Sequence, residues 1–106
     1  MSKQPAPLKP LSSVVSTQRQ GVQLQRVYAI GEHRIRTTVY VDSYDFQSWA
    51  KAERWNGERW YEVATIPYGA MYSATKASYH KKSDVNEPIL YVDTQTLLAR
   101  VIEVLE

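Results

Sequence analysis

The sequence predicts an α+β fold: an antiparallel β-meander of about four strands packed against a C-terminal α-helix, with a short helix over 70–80. Three observations carry this expectation. Between His33 and Val41, Ile35, Thr37, Val39 and Val41 fall on one side while Arg34, Arg36, Thr38 and Tyr40 fall on the other, the period of two of a half-buried strand. Asn56-Gly57 stands between two strand-like runs, the strongest short-range hairpin signal. Leu98, Val101, Ile102 and Leu105 recur at helical spacing, as on one face of an amphipathic helix.

Along the chain, residues 1–20 are rich in Pro, Ser, Gln and Lys without periodicity. They read as a flexible tail, although Leu8, Leu11, Val14 and Val15 leave room for its later part to dock. A single domain then fills 21–106. Val22 to Ile30 reads as a strand, Gly31-Glu32 as a turn, and His33–Val41 as the next strand. Asp42-Ser43-Tyr44-Asp45 supplies turn chemistry. Phe46–Trp55 and Glu58–Ile66 form the hairpin arms, and Pro67 ends the second. Ala70 to His80 reads as a short helix and Lys81–Pro88 as a loop. Ile89-Leu90-Tyr91-Val92 is an apolar run of the kind found in a short edge strand, after which Asp93 or Thr94 caps the C-terminal helix.

The hairpin admits two registers. A two-residue turn sets Lys51 against Glu62 but Arg54 against Arg59. A three-residue loop with a glycine bulge sets Arg54 against Glu58, Glu53 against Arg59 and Ala52 against Trp60. Charge favours the second, though cross-strand pairs contribute only about 0.2–1 kcal/mol each. The register matters because it decides which of Trp49 and Trp60 faces the core. Ala50, Ala52 and Ala64 should let the helix approach one face closely. The other face should then carry some of Tyr40, Trp49, Lys51 and Arg36.

Composition narrows the function. A chain of 106 residues with 43% hydrophobic and 23% charged residues suits one soluble domain. It lacks cysteine, which excludes disulfides and thiolate metal sites. Pro5, Pro7 and Pro10 interrupt the N-terminus, so no secretory signal is read there. No apolar run approaches the roughly 20 residues a bilayer needs, so a cytoplasmic protein without membrane contact is expected. Four of the thirteen basic residues precede the first acidic one, Glu32, leaving nine basic against eleven acidic beyond it. The mild basicity belongs to the tail, whereas nucleic-acid binding wants a basic stripe on the domain.

No spacing points to catalysis. His33 and His80 are isolated, Ser12 and Ser13 lie in the tail, and Asp42 and Asp45 read as turn carboxylates. Two separated histidines and scattered carboxylates build no metal site, and no cofactor is implied. What remains is recognition. Trp, Tyr and Arg are enriched at interface hot spots, and they are dense between Tyr40 and Tyr79. The nominated residues are Tyr40, Trp49, Trp55, Tyr68, Tyr72 and Tyr79, with Arg34, Arg36, Lys81 and Lys82 as charged support. Tyr68, Tyr72 and Tyr79 also interleave with Lys76, His80, Lys81 and Lys82, the composition of a single-strand stacking platform. Asp84 and Glu87 follow at once, which favours a solvated loop. A sheet edge offers strand addition, to a partner or to a second copy.

The stretch from Asp42 through Ala50, continuing as Arg54-Trp55-Asn56-Gly57-Glu58-Arg59-Trp60, resembles small uncharacterised proteins of bacteriophages and prophages. The resemblance covers about a third of the chain, includes no catalytic motif and carries over no functional residue. It implies an accessory protein acting by binding, such as an inhibitor of a host or defence complex, or a small regulator. The ββββα order is also similar to single-stranded DNA-binding coactivator-like domains, without their basic strand pattern. The expectation is therefore a non-catalytic binding protein with a protein partner; the alternative is a single-stranded nucleic-acid-binding or small regulatory protein.

Overall fold

The computed structural model describes residues 9–17, 20–42, 47–76 and 86–105. Five antiparallel strands run in chain order across one sheet: β1 (Ser12–Thr17), β2 (Gly21–Ile30), β3 (His33–Asp42), β4 (Trp49–Trp55) and β5 (Trp60–Ile66). A 3₁₀ turn (Tyr68–Ala70) and a short helix, α1 (Tyr72–Lys76), lead to the long C-terminal helix α2 (Glu87–Leu105). This is the expected α+β domain with one strand more.

The alternation of β3 sets the layers. Ile35, Val39 and Val41 pair with Tyr28, Leu24 and Val22 of β2, and all six are buried. Ala50, Ala52 and Ile66 extend this face across β4 and β5, with Ala64 partly buried beside them. Onto it α2 lowers Leu90, Leu97 and Val101, which stand seven and four residues apart and so share one side of the helix. Each fully buried side chain of this size contributes about 1.5–3 kcal/mol. Those three residues outweigh any single polar contact in the molecule. The alanines do what their size predicts: Ala50 and Ala52 are buried in the core that α2 shares with the sheet.

Four local expectations need correction. Residues 12–17, expected within the flexible tail, form β1, which pairs with β2 from Ser12↔Val27 to Thr17↔Val22. Five of its six residues are exposed, so it has no buried face to impose an alternation. Ile89–Val92 is the first full turn of α2, not a strand. Asn86 caps it, its Oδ1 accepting the Ile89 N–H at 3.1 Å and its carbonyl the Leu90 N–H at 3.1 Å. Pro88 is tolerated because first-turn N–H groups have no helical partner to lose. Asp93 and Thr94 therefore lie inside the helix and cap nothing at its start. The helix expected over 70–80 is described as the 3₁₀ turn and α1; the remainder lies outside the described residues.

The hairpin at Asn56-Gly57 is present, but in neither expected register. Trp55 pairs with Trp60, Arg54 with Tyr61 and Glu53 with Glu62, leaving Asn56–Arg59 as the loop. Asn56 builds it: its Oδ1 accepts the N–H of Glu58 at 2.8 Å and of Arg59 at 2.9 Å, while its own N–H donates to the Arg59 carbonyl at 3.1 Å. Gly57 takes the positive φ of 100° that this path demands. A register shift at Ala52/Glu53 reconciles the longer loop with the alanine pairing below it.

Asp93, only 1% exposed, serves the opposite end of the helical layer. It accepts the N–H groups of Tyr72 at 2.8 Å and Ser73 at 2.9 Å, and the Ser73 hydroxyl as well. It thus supplies from α2 the cap that α1 lacks in its own sequence. Asp93→Ala should strand these donors and lower the unfolding free energy by about 2–4 kcal/mol, seen as a lower urea midpoint at unchanged slope.

Candidate functional site

With α2 on one face, no described element packs on the other, and the register defines the rows of this open face. Trp49 lies beside Tyr40, then Gln23 and Ser16; Lys51 lies beside Thr38, Gln25 and Val14; Glu53 lies between Glu62 and Arg36. Trp55 and Trp60 close the hairpin end. Neither Trp49 nor Trp60 faces the core, so the choice framed by the two expected registers does not arise.

The rings are arranged in two clusters. Tyr40 and Trp49 sit 5.8 Å apart, tilted by 38°, with the Lys51 ammonium 5.1 Å above the Trp49 ring. Trp55 and Trp60 sit 5.4 Å apart at 56°, with the Arg36 guanidinium 4.6 Å above Trp60. Tilted pairs and cations over ring faces are the favoured geometries of these quadrupoles. Glu53 joins the clusters. Its Oε1 accepts Arg36 Nε at 3.0 Å and Nη2 at 2.8 Å, and its Oε2 lies 3.8 Å from Lys51 Nζ. Only 8% of Glu53 is exposed, so the two cations also offset its repulsion with Glu62 across the strands.

Gly21 positions the first cluster. A Cβ there would stand 2.4 Å from the Val41 carbonyl oxygen and 2.7 Å from the Tyr40 ring, so the missing side chain is what lets Tyr40 lie flat over β2. The Tyr40 hydroxyl donates to Asp42, and the Asp42 N–H donates to Ser48 Oγ at 2.9 Å. The bond to Asp42, aided by burial and the carboxylate's charge, pushes the Tyr40 phenol up to about 12. The ring therefore stays neutral at physiological pH.

Of the nominated residues, Arg36, Tyr40, Trp49 and Trp55 come together on this face, and Arg34 lies on it beyond Arg36, opposite Ala29. Trp49 is 38% and Trp55 39% exposed. Tyr68 and Tyr72 are also exposed, but they belong to the helical layer and do not join the cluster. Tyr79, Lys81 and Lys82 lie outside the described residues. Sequence reasoning missed Glu53 and Trp60 as site members, because only the true register places both beside Arg36. Lys51 was assigned to this face but not to the site.

On the open face, Arg34, Arg36 and Lys51 are matched by Asp42, Glu53 and Glu62. Such a surface can stack and donate hydrogen bonds at short range without presenting a net field. Among the described residues no group of His, Asp and Glu is placed to hold a metal ion, and no helix is long and apolar enough to cross a membrane. His33 sits at the start of β3, paired with Ile30 across the turn; His80 lies outside the described residues. Comparison of the chain with protein-family models, with curated proteins and with solved structures returns no match.

Two predictions follow from the first cluster. Gly21→Ala should displace Tyr40 or part β2 from β3, lowering stability by about 1–3 kcal/mol and weakening the near-ultraviolet circular dichroism of the Tyr40–Trp49 pair. Because the folded Tyr40 value exceeds the ordinary one of about 10, the bond's stabilisation is complete below about pH 10 and is lost as pH rises through about 12. Asp42→Ala should lower Tyr40 from about 12 toward its ordinary value, with burial still holding it up in part, followed by NMR of ring-labelled tyrosine; an unshifted titration would contradict the assignment.

Proposed function

We propose that this chain is a non-catalytic binding protein whose open sheet face takes a protein partner. The observation that carries this is the pairing of part-exposed tryptophans with cations already engaged by Glu53, on a face where Arg34, Arg36 and Lys51 are offset by Asp42, Glu53 and Glu62. Nucleic-acid faces present uncompensated Lys and Arg to phosphate. Protein hot spots instead gather Trp, Tyr and Arg in ordered, largely dehydrated clusters ringed by weaker contacts. Arg36 is held at two of its nitrogens and stacked on Trp60, so little side-chain entropy is left to lose on docking. Such a face suits an accessory protein that acts by occupying a surface of a larger complex, as the phage-type resemblance implies.

The test is retention of partner proteins from cell lysate by the immobilised wild-type chain and by a Trp49→Ala/Trp55→Ala variant, with and without nuclease. A retained protein should survive nuclease and be lost with the variant. Truncating one such anchor should weaken the purified pair by about 2 kcal/mol, roughly thirtyfold. Retention that disappears with nuclease, together with a salt-sensitive shift of a labelled oligo(dT), would replace this function with single-strand binding. Retention indifferent to both tryptophans would move the site elsewhere.

A further inference from the structure

The sheet has two edges, and they are built differently. At β5, Arg100 of α2 donates to the Thr65 backbone carbonyl, Glu62 adds an exposed charge, and the register shift at Ala52/Glu53 distorts the adjoining pairing. Covering side chains, charges and bulges are the usual protections against unwanted strand pairing. Among the described residues the β1 edge shows none of them. From Ser12 to Thr17 it carries no charge, no proline and no described register shift, while Val14 and Val15 within it and Leu11 just before it are 54%, 47% and 59% exposed.

We propose that β1 pairs antiparallel with β1 of a second copy, producing a symmetric dimer with one sheet continuous through both protomers. The sequence is self-complementary for this purpose. A two-fold axis standing on the sheet at Val14 sets Val14 against the partner's Val14 and Ser12 against the partner's Ser16. It also sets Ser13 against the partner's Val15 and Leu11 against the partner's Thr17. This register uses the whole uncharged stretch. A self-pairing edge brings each charge near the axis close to its own copy, so an uncharged strand is the composition such a dimer requires. Ser13 is already fixed from below by Arg26, whose Nε donates to its Oγ at 3.0 Å, so β1 is held in place before any partner arrives.

The dimer keeps both α2 helices on one side and both open faces on the other. Seven strand spacings of about 4.8 Å separate the two copies of β4 by about 34 Å across the sheet. The inference rests on the edge alone and does not depend on what the open face binds.

Sedimentation equilibrium on the full chain should give twice the 12.2 kDa of the protomer at micromolar concentrations. Val14→Lys should sediment as a monomer under the same conditions, with unchanged far-ultraviolet circular dichroism. The cysteine-free chain also permits a test of register. Val14→Cys should form an intermolecular disulfide, since directly opposed residues lie about 4.5–5.5 Å apart at Cα. Leu11→Cys should not, its own copy being about 20 Å away along the edge. Should Val14→Lys fail to fold, the two cysteine variants still decide. A wild-type monomer at every concentration would overturn the proposal. So would a dimer indifferent to Val14→Lys, or one in which Leu11→Cys links as readily as Val14→Cys.

Discussion

Ala50, Ala52 and Ala64 leave a shallow trough on one face of the sheet, and α2 settles its apolar stripe into it. Because dispersion falls off steeply with separation, a helix held away by larger side chains would lose much of the contact made by Leu90, Leu97 and Val101. That seating commits the molecule to two layers. It commits the remaining aromatic side chains as well, since a sheet with one helix has one uncovered face, and on β4 every ring points there.

The polar contacts act as positioning devices within this frame. Arg26 reaches Ser13 on β1, the Tyr28 hydroxyl at 3.2 Å and Glu87 at 2.7 Å, and lies 4.7 Å from the Tyr91 ring centroid. One side chain thus ties the first strand, its neighbour and the start of α2 together. Glu87 is nearly half exposed, so the ion pair alone contributes little to stability. Its value lies in fixing the helix start over the β1–β2 side of the sheet. Asp93 fixes the other junction by organising α1. Large forces set the layers and weaker directional bonds set their alignment.

Those two scales explain what is legible in the sequence. The strands β2 and β3 and the second half of α2 show themselves because burial imposes a period on them. β1 hides because its neighbour on β2 accepts it through the backbone, which leaves no trace in side-chain polarity. The first turn of α2 reads as a strand because Ile89-Leu90-Tyr91-Val92 is apolar throughout. Its real signal is Asn86 followed by Pro88, a cap with a tolerated proline. The hairpin register is misjudged because side-chain charge is weighed against the loop's own bonding. Asn56 accepts two backbone donors there, and no charge pair among the alternatives competes with that. The site is legible in its residue types but not in its membership. Glu53, its hub, looks like any strand carboxylate until Arg36 and Lys51 are known to flank it.

That hub also governs how any molecule would arrive. With Arg34, Arg36 and Lys51 offset by Asp42, Glu53 and Glu62, the open face carries little net charge. An approaching molecule is not guided, and unsteered docking of specific patches proceeds at about 10⁵–10⁶ M⁻¹ s⁻¹. For the partner proposed above, selectivity would then be exercised after contact, in how slowly the right molecule leaves, with ionic strength of little consequence on the way in.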